Sequence, residues 1–180
     1  MADIRNSSDR YGLVARVLHW SIGLLIVFEL ALGFWTFEIM GRTAARSANV
    51  SLHKALGVTL LVLILARIAW RIYDRPPPLP ATLSAYERTG ARISHALFYI
   101  LILAMPIIGL LVGDTGGRAT DVFGLFEVPM MVGEDENLFE YFDAAHKLGA
   151  FALSLLIVLH LDRAAFHRFV RKDGVAERML

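Results

Sequence analysis

The chain contains no cysteine among its 180 residues. That excludes disulfides, iron–sulfur ligation, zinc–thiolate sites and covalent haem attachment through a CxxCH motif. Any metal or haem has to be held by histidine, methionine or carboxylate. Charge is also sparse: 19% of residues are charged and the net charge is +1. No strongly basic or acidic face is implied globally, so there is no electrostatic footprint for nucleic acid. Proline is confined: four of the six prolines fall in one stretch, Pro76, Pro77, Pro78 and Pro80. These forbid helix there and favour an extended spacer.

Apolar residues are abundant. They make up 56% of the chain, and the mean hydropathy is +0.54, too apolar for an ordinary soluble domain of this size. Four apolar runs emerge, near 14–37, 50–72, 93–112 and 144–170. Each approaches the ~20 residues that cross a hydrocarbon core. The first run is too long for the h-region of a signal peptide, and no clean small-x-small site follows it. It is read as a retained helix. The expected fold is all-α: a single domain over residues 1–180, an integral membrane four-helix bundle running up-down-up-down. Pro106 interrupts the third run and is expected to kink it.

Lysine and arginine give the bundle a direction. Thirteen lie in the N-terminal segment, the connection after the second run and the C-terminal segment, against five elsewhere: Arg42, Arg46, Lys54, Arg118 and Lys147. The expectation is a multi-pass membrane protein with both termini and the proline loop in the cytoplasm. The long connection near 113–143 then faces outward. It carries Asp114, Asp121, Glu127, Glu134, Asp135, Glu136, Glu140 and Asp143. Trp20, Trp35 and Trp70 fall near run ends and read as interfacial anchors.

The most informative spacing is His146 to His160, fourteen residues apart in AAHKLGAFALSLLIVLHLD. On a helix this is ~21 Å of rise, and about 40° short of four full turns, so both imidazoles face one side. Intramembrane histidines are costly and mark functional sites. Depth suggests a partner for each: His19 with His160 near the inner face, His53 with His146 near the outer face. Two facing imidazoles from different helices suit a b-type haem with both axial positions filled. The ordinary alternative for each histidine is an imidazole satisfied by a backbone carbonyl or by the headgroup layer. His95 opens the third run on the inner side and is expected to lie in the haem vicinity rather than on the iron. His167, two turns past His160, stands where a quinone headgroup would accept a hydrogen bond from it; its alternative is a solvated interfacial side chain. Gly57, Gly109 and Gly149 either admit a flat macrocycle or serve close helix packing. Arg67, Arg71 and Arg92 either pair with haem propionates or snorkel to headgroups. Glu29 is either buried and protonated or part of a proton route.

The segments Leu18-His19-Trp20, His53-Lys54 followed by Gly57, SHALFYILILAMPIIGL and AHKLGAFALSLLIVLH resemble the bacterial cytochrome b561 family, over about Arg10 to Asp173. That family is related to the di-haem cytochrome b subunits of nickel–iron hydrogenases and formate dehydrogenases. The resemblance implies two haem b groups with axial ligands at His19, His53, His146 and His160. It also implies exchange with the quinone pool, ubiquinone, near His167 at the cytoplasmic end. A superoxide oxidase, superoxide:ubiquinone oxidoreductase, is one activity found on this layout. It calls for a positive outer approach, which the acidic outer connection opposes. Three functions follow as expectations: an electron carrier between the quinone pool and a periplasmic redox partner; the superoxide oxidase; and a non-redox membrane partner or assembly subunit with structural histidines.

Overall fold

The computed structural model describes residues 3–180. Helix α1 spans Leu13–Phe34 and continues through a π turn, Trp35–Ile39. Helix α2 spans Ala44–Tyr73, α3 spans Ala85–Thr115, and α4 spans Glu136–Ala165 with a π turn over Phe166–Arg171. All four are long and apolar enough to cross a membrane.

Three of the helices start earlier than their apolar runs. The Thr43 hydroxyl accepts from Arg46 N–H at 3.2 Å and opens α2. Ser84 and Glu87 form a reciprocal capping box at α3: Glu87 N–H donates to Ser84 Oγ at 3.2 Å, and Ser84 N–H donates to Glu87 Oε2 at 2.8 Å. Asp135 Oδ1 accepts from Leu138 N–H at 3.0 Å and opens α4. The added first turns are polar, so hydropathy is silent there while cap chemistry is explicit. Helix α3 runs on through Pro106.

A short antiparallel hairpin, β1 (Thr120–Val122) with β2 (Phe126–Val128), sits in the connection from α3 to α4. Phe123 and Gly124 both take positive φ at its turn, and Asp121 Oδ2 accepts from Gly124 N–H at 2.9 Å. The sequence alone marks only a long connection here. Buried Asp114 ties the connection down by accepting from Met131 N–H at 2.7 Å.

The opposite end of the bundle carries both chain termini and the proline segment. There Arg178 donates to the carbonyls of Asp9 at 2.6 Å, Pro78 at 2.7 Å and Ser8 at 3.2 Å. Trp20 Nε1 donates to Met179 O at 3.0 Å. One clasp therefore holds three distant stretches of chain.

Helix α1 packs on α2, α2 on α3, and α3 on α4. Among the described residues, the backbone contact of α4 with α3 is extensive and that with α1 and α2 is slight at most. The tightly buried core is thin: Ile22, Ile26, Leu60, Ile64, Ile102 and Leu153. Leu153 stands seven residues from both His146 and His160, so this aliphatic layer lies midway along α4. Outside it, Leu24, Val27, Phe28, Ile100, Leu155 and Val158 are all more than half, or about half, exposed. In water that would be unfavourable; in hydrocarbon it is the expected face.

Candidate functional site

The space between α4 and the α1–α2 pair is spanned by imidazoles. At the hairpin end, the rings of His53 (α2) and His146 (α4) have centroids 6.2 Å apart. At the terminal end, those of His19 (α1) and His160 (α4) are 6.3 Å apart. The structure thus brings together both pairs that helix direction suggested. A metal bonded to one nitrogen of each ring at the usual ~2.0–2.1 Å puts the centroids about 6.3 Å apart, because each centroid lies ~1.15 Å behind its nitrogen. Both pairs match that separation. No cluster of three or more histidine or carboxylate ligands forms among the described residues, so a bare ion would lack a cage. A macrocycle supplies the four in-plane ligands itself and needs only an axial pair.

Glycines shape the space beside each ring. Gly23 and Gly57 follow His19 and His53 by one helical turn, and a Cβ at either would meet nothing within 4 Å. Open room for a flat group therefore lies next to a histidine at each level. Gly33 and Gly109 do the reverse and press on the imidazoles: a Cβ would come 3.4 Å from His53 Cε1 and 3.1 Å from His146 Cε1. Gly149 has the packing role instead, since a Cβ there would strike Met105 Sδ. Gly109→Val is accordingly expected to push His146 out of line and lower bound haem towards one per chain, read from the haem absorbance of purified protein. Gly90→Ala, at a position with open surroundings on the same helix, is expected to leave it unchanged.

The two levels differ electrostatically. At the hairpin end, Glu29 is 7% exposed, and its Oε2 lies 2.8 Å from His53 Nδ1, off the ideal donor line. Phe37 meets the same ring edge-on at 6.1 Å. His146 Nδ1 is buried with no hydrogen-bond partner. At the terminal end, α2 carries the half-buried Arg67. Its Nε donates to Tyr99 OH at 3.3 Å, and Arg71 lies over the same ring. Arg67 is thus anchored inside the bundle, while Arg92 remains exposed. His95 is exposed on α3. The ring that packs on His160 from α3 is Phe98, at 5.3 Å.

His167 is buried, not solvated. Its Nδ1 lies 2.8 Å from Asp173 Oδ2. The π turn and the left-handed Lys172 (φ 52°) fold the chain back to make this contact. Burial works against the Asp173 charge, but the His167 hydrogen bond and the nearby Arg171 hold its carboxyl below the ordinary value. Sequence reasoning missed Asp173. It also left the partner of Glu29 open, although Glu29, Gly33 and Phe37 recur every fourth residue and so share one helix face.

A cleft of about 950 Å³ opens at the hairpin end, lined by Arg42, Arg46, Lys54 and Arg118 with Asp121 and Glu127. Lys54 Nζ donates to the carbonyls of Arg118 at 2.9 Å and Ala119 at 2.7 Å. The bulk acidity of this connection therefore does not describe its cleft, where cations outnumber acids.

Residues 10–180 match the family model for prokaryotic cytochrome b561. "Cytochrome b561 homolog 2" of Escherichia coli is 31% identical over 97% of this chain and 93% of its own length. "Probable superoxide oxidase CybB" of Yersinia pestis is 28% identical over 95% of this chain and 96% of its own. "Cytochrome b562" of Cereibacter sphaeroides is 29% identical over 91% and 90%. A four-helix membrane bundle with histidine pairs facing across it, matched from residue 10 to residue 180, places this chain in the prokaryotic cytochrome b561 family of haem b membrane cytochromes.

Proposed function

We propose that this chain is a di-haem electron carrier linking a redox partner at the outer face of a bacterial inner membrane to the quinone pool. The hairpin end is outer and the clasped termini are cytoplasmic, in line with the excess of lysine and arginine at the terminal end. His53 and His146 hold the outer haem b, and His19 and His160 the inner one. Bound haem iron would supply a one-electron couple. The chain's own residues do the rest. The imidazoles fix the two groups on α4 at levels ~21 Å apart along its axis. The aliphatic layer between them excludes water. His95 lies beside the inner group without binding iron. His167, its ring set by Asp173, presents its other nitrogen to a ubiquinone headgroup.

The observation that carries this reading is the pair of matching ring separations, 6.2 and 6.3 Å, at two levels of one helix. A pyridine haemochrome assay on purified protein is expected to give two haem b per chain. A value of one would discard the two-pair assignment, and zero would leave only a non-redox membrane subunit.

A second reading has an observation of its own. The cationic cleft lined by Lys54, the residue after His53, suits a small anion, which favours superoxide as the outer electron donor. The name of the Yersinia pestis relative points the same way. Superoxide-driven ubiquinone reduction, compared with and without protein, separates this enzyme from the carrier; no acceleration leaves the carrier.

A further inference from the structure

Glu29 takes no part in holding either haem of the proposed carrier. It lies in the middle of α1, at a depth where an ionisable side chain is expensive. It is 7% exposed. Its Oε1 is buried without a hydrogen-bond partner. Among the described residues it makes no ion pair with lysine or arginine; its one close polar neighbour is His53 Nδ1, at 2.8 Å. The cluster around that imidazole is built from one face of α1: Glu29 at Nδ1, Gly33 under Cε1 at the 3.4 Å a Cβ would have, and Phe37 against the ring at 6.1 Å.

We propose that Glu29 is a positioning residue for His53, which orients the imidazole and makes the outer haem harder to reduce than the inner one. The inference rests on the di-haem reading above. An imidazole that gives Nε2 to a metal keeps its proton on Nδ1 and needs an acceptor for it. A carboxylate in that place draws the proton towards itself and makes the ring a stronger electron donor. A stronger axial donor favours the oxidised iron. The inner end of the bundle carries a cation instead, Arg67, whose Nε donates to Tyr99 OH at 3.3 Å, and a cation near an iron favours its reduced form. An anion at one level and a cation at the other make outer-to-inner transfer the downhill direction.

The alternative is that Glu29 merely fills space beside the ring. The haem-loaded full-length protein would be titrated by spectroelectrochemistry as wild type, Glu29→Gln and Glu29→Leu. Each would also be measured in the His160→Ala background, where the outer haem alone is expected. At a fixed poise, Glu29→Leu is expected to lower the oxidised-to-reduced ratio of the outer haem about tenfold, a shift of about 59 mV for one electron. Glu29→Gln, which keeps an acceptor without the full charge, is expected to fall between. The inner haem should not move. Low-spin signals in electron paramagnetic resonance should change for the outer haem only. If Glu29→Leu does not accumulate, Glu29→Gln alone decides, being nearly the same shape. Two retained haems with the outer ratio within twofold of wild type would overturn the proposal. Fewer than two haems in the wild type would instead refute the reading beneath it.

Discussion

His146→Ala and His53→Ala are each expected to lose one haem, and the same one. The haem content of either variant should drop from two per chain to about one. The double variant should also hold about one, because an axial pair fails as a unit once either imidazole is gone. His19→Ala, His160→Ala and their combination should show the same pattern for the other haem. Combining one change from each level, such as His146→Ala with His160→Ala, should leave none. The geometry behind this is that α4 is the shared helix, while the partners come from α2 at one level and α1 at the other. The two remaining haems should be told apart by their absorption bands and midpoint potentials. His95→Ala should keep both, since Phe98 and not His95 packs on the His160 ring. Loss of a haem on His95→Ala with retention on His160→Ala would reassign the inner pair.

The second large effect is at the other end of the electron path. His167→Ala is expected to keep both haems and to slow ubiquinone reduction by about 10–100-fold. That corresponds to about 1.4–2.7 kcal/mol, the range of one hydrogen bond to a group that gains charge. The Asp173 contact at 2.8 Å holds one ring edge of His167, leaving the other for a ligand. Asp173→Asn should therefore give a smaller loss, through misorientation. Rapid mixing with an outer-face reductant separates the steps: haem reduction should be unchanged while reoxidation by quinone slows. Unaltered quinone kinetics in His167→Ala would remove it from the exchange site.

Much of this architecture could be read before any coordinates. Hydropathy located four spans because a hydrocarbon solvent leaves little choice of composition. The depth of each histidine followed from helix direction, and that proved enough to pair His19 with His160 and His53 with His146 in space. What stayed hidden depended on cross-chain proximity. Nothing local says that Glu29 lies against a ring twenty-four residues away, or that Asp173 returns to His167. The hairpin between α3 and α4 is not legible because its strands are three residues each, too short for an alternating pattern. The cleft was misjudged for a related reason: a charge tally over the connection weighs every acid alike, whereas only Asp121 and Glu127 from it line the cavity with the cations. Helix starts were displaced because polar caps carry no hydropathy signal.

The aliphatic layer of Ile22, Ile26, Leu60, Ile64, Ile102 and Leu153 has a consequence for bioenergetics. A dry stratum between two charge-bearing levels supports a voltage drop. An electron that hops ~21 Å of a ~30 Å core senses about two thirds of the transmembrane potential. At 100 mV that is about 1.5 kcal/mol, enough to alter the redox balance between the levels more than tenfold. In the proposed di-haem carrier each turnover would be a small electrical current, and a membrane negative inside would resist inward transfer. The bias supplied by Glu29 and Arg67 would be the counterweight that keeps such a current flowing in an energised cell.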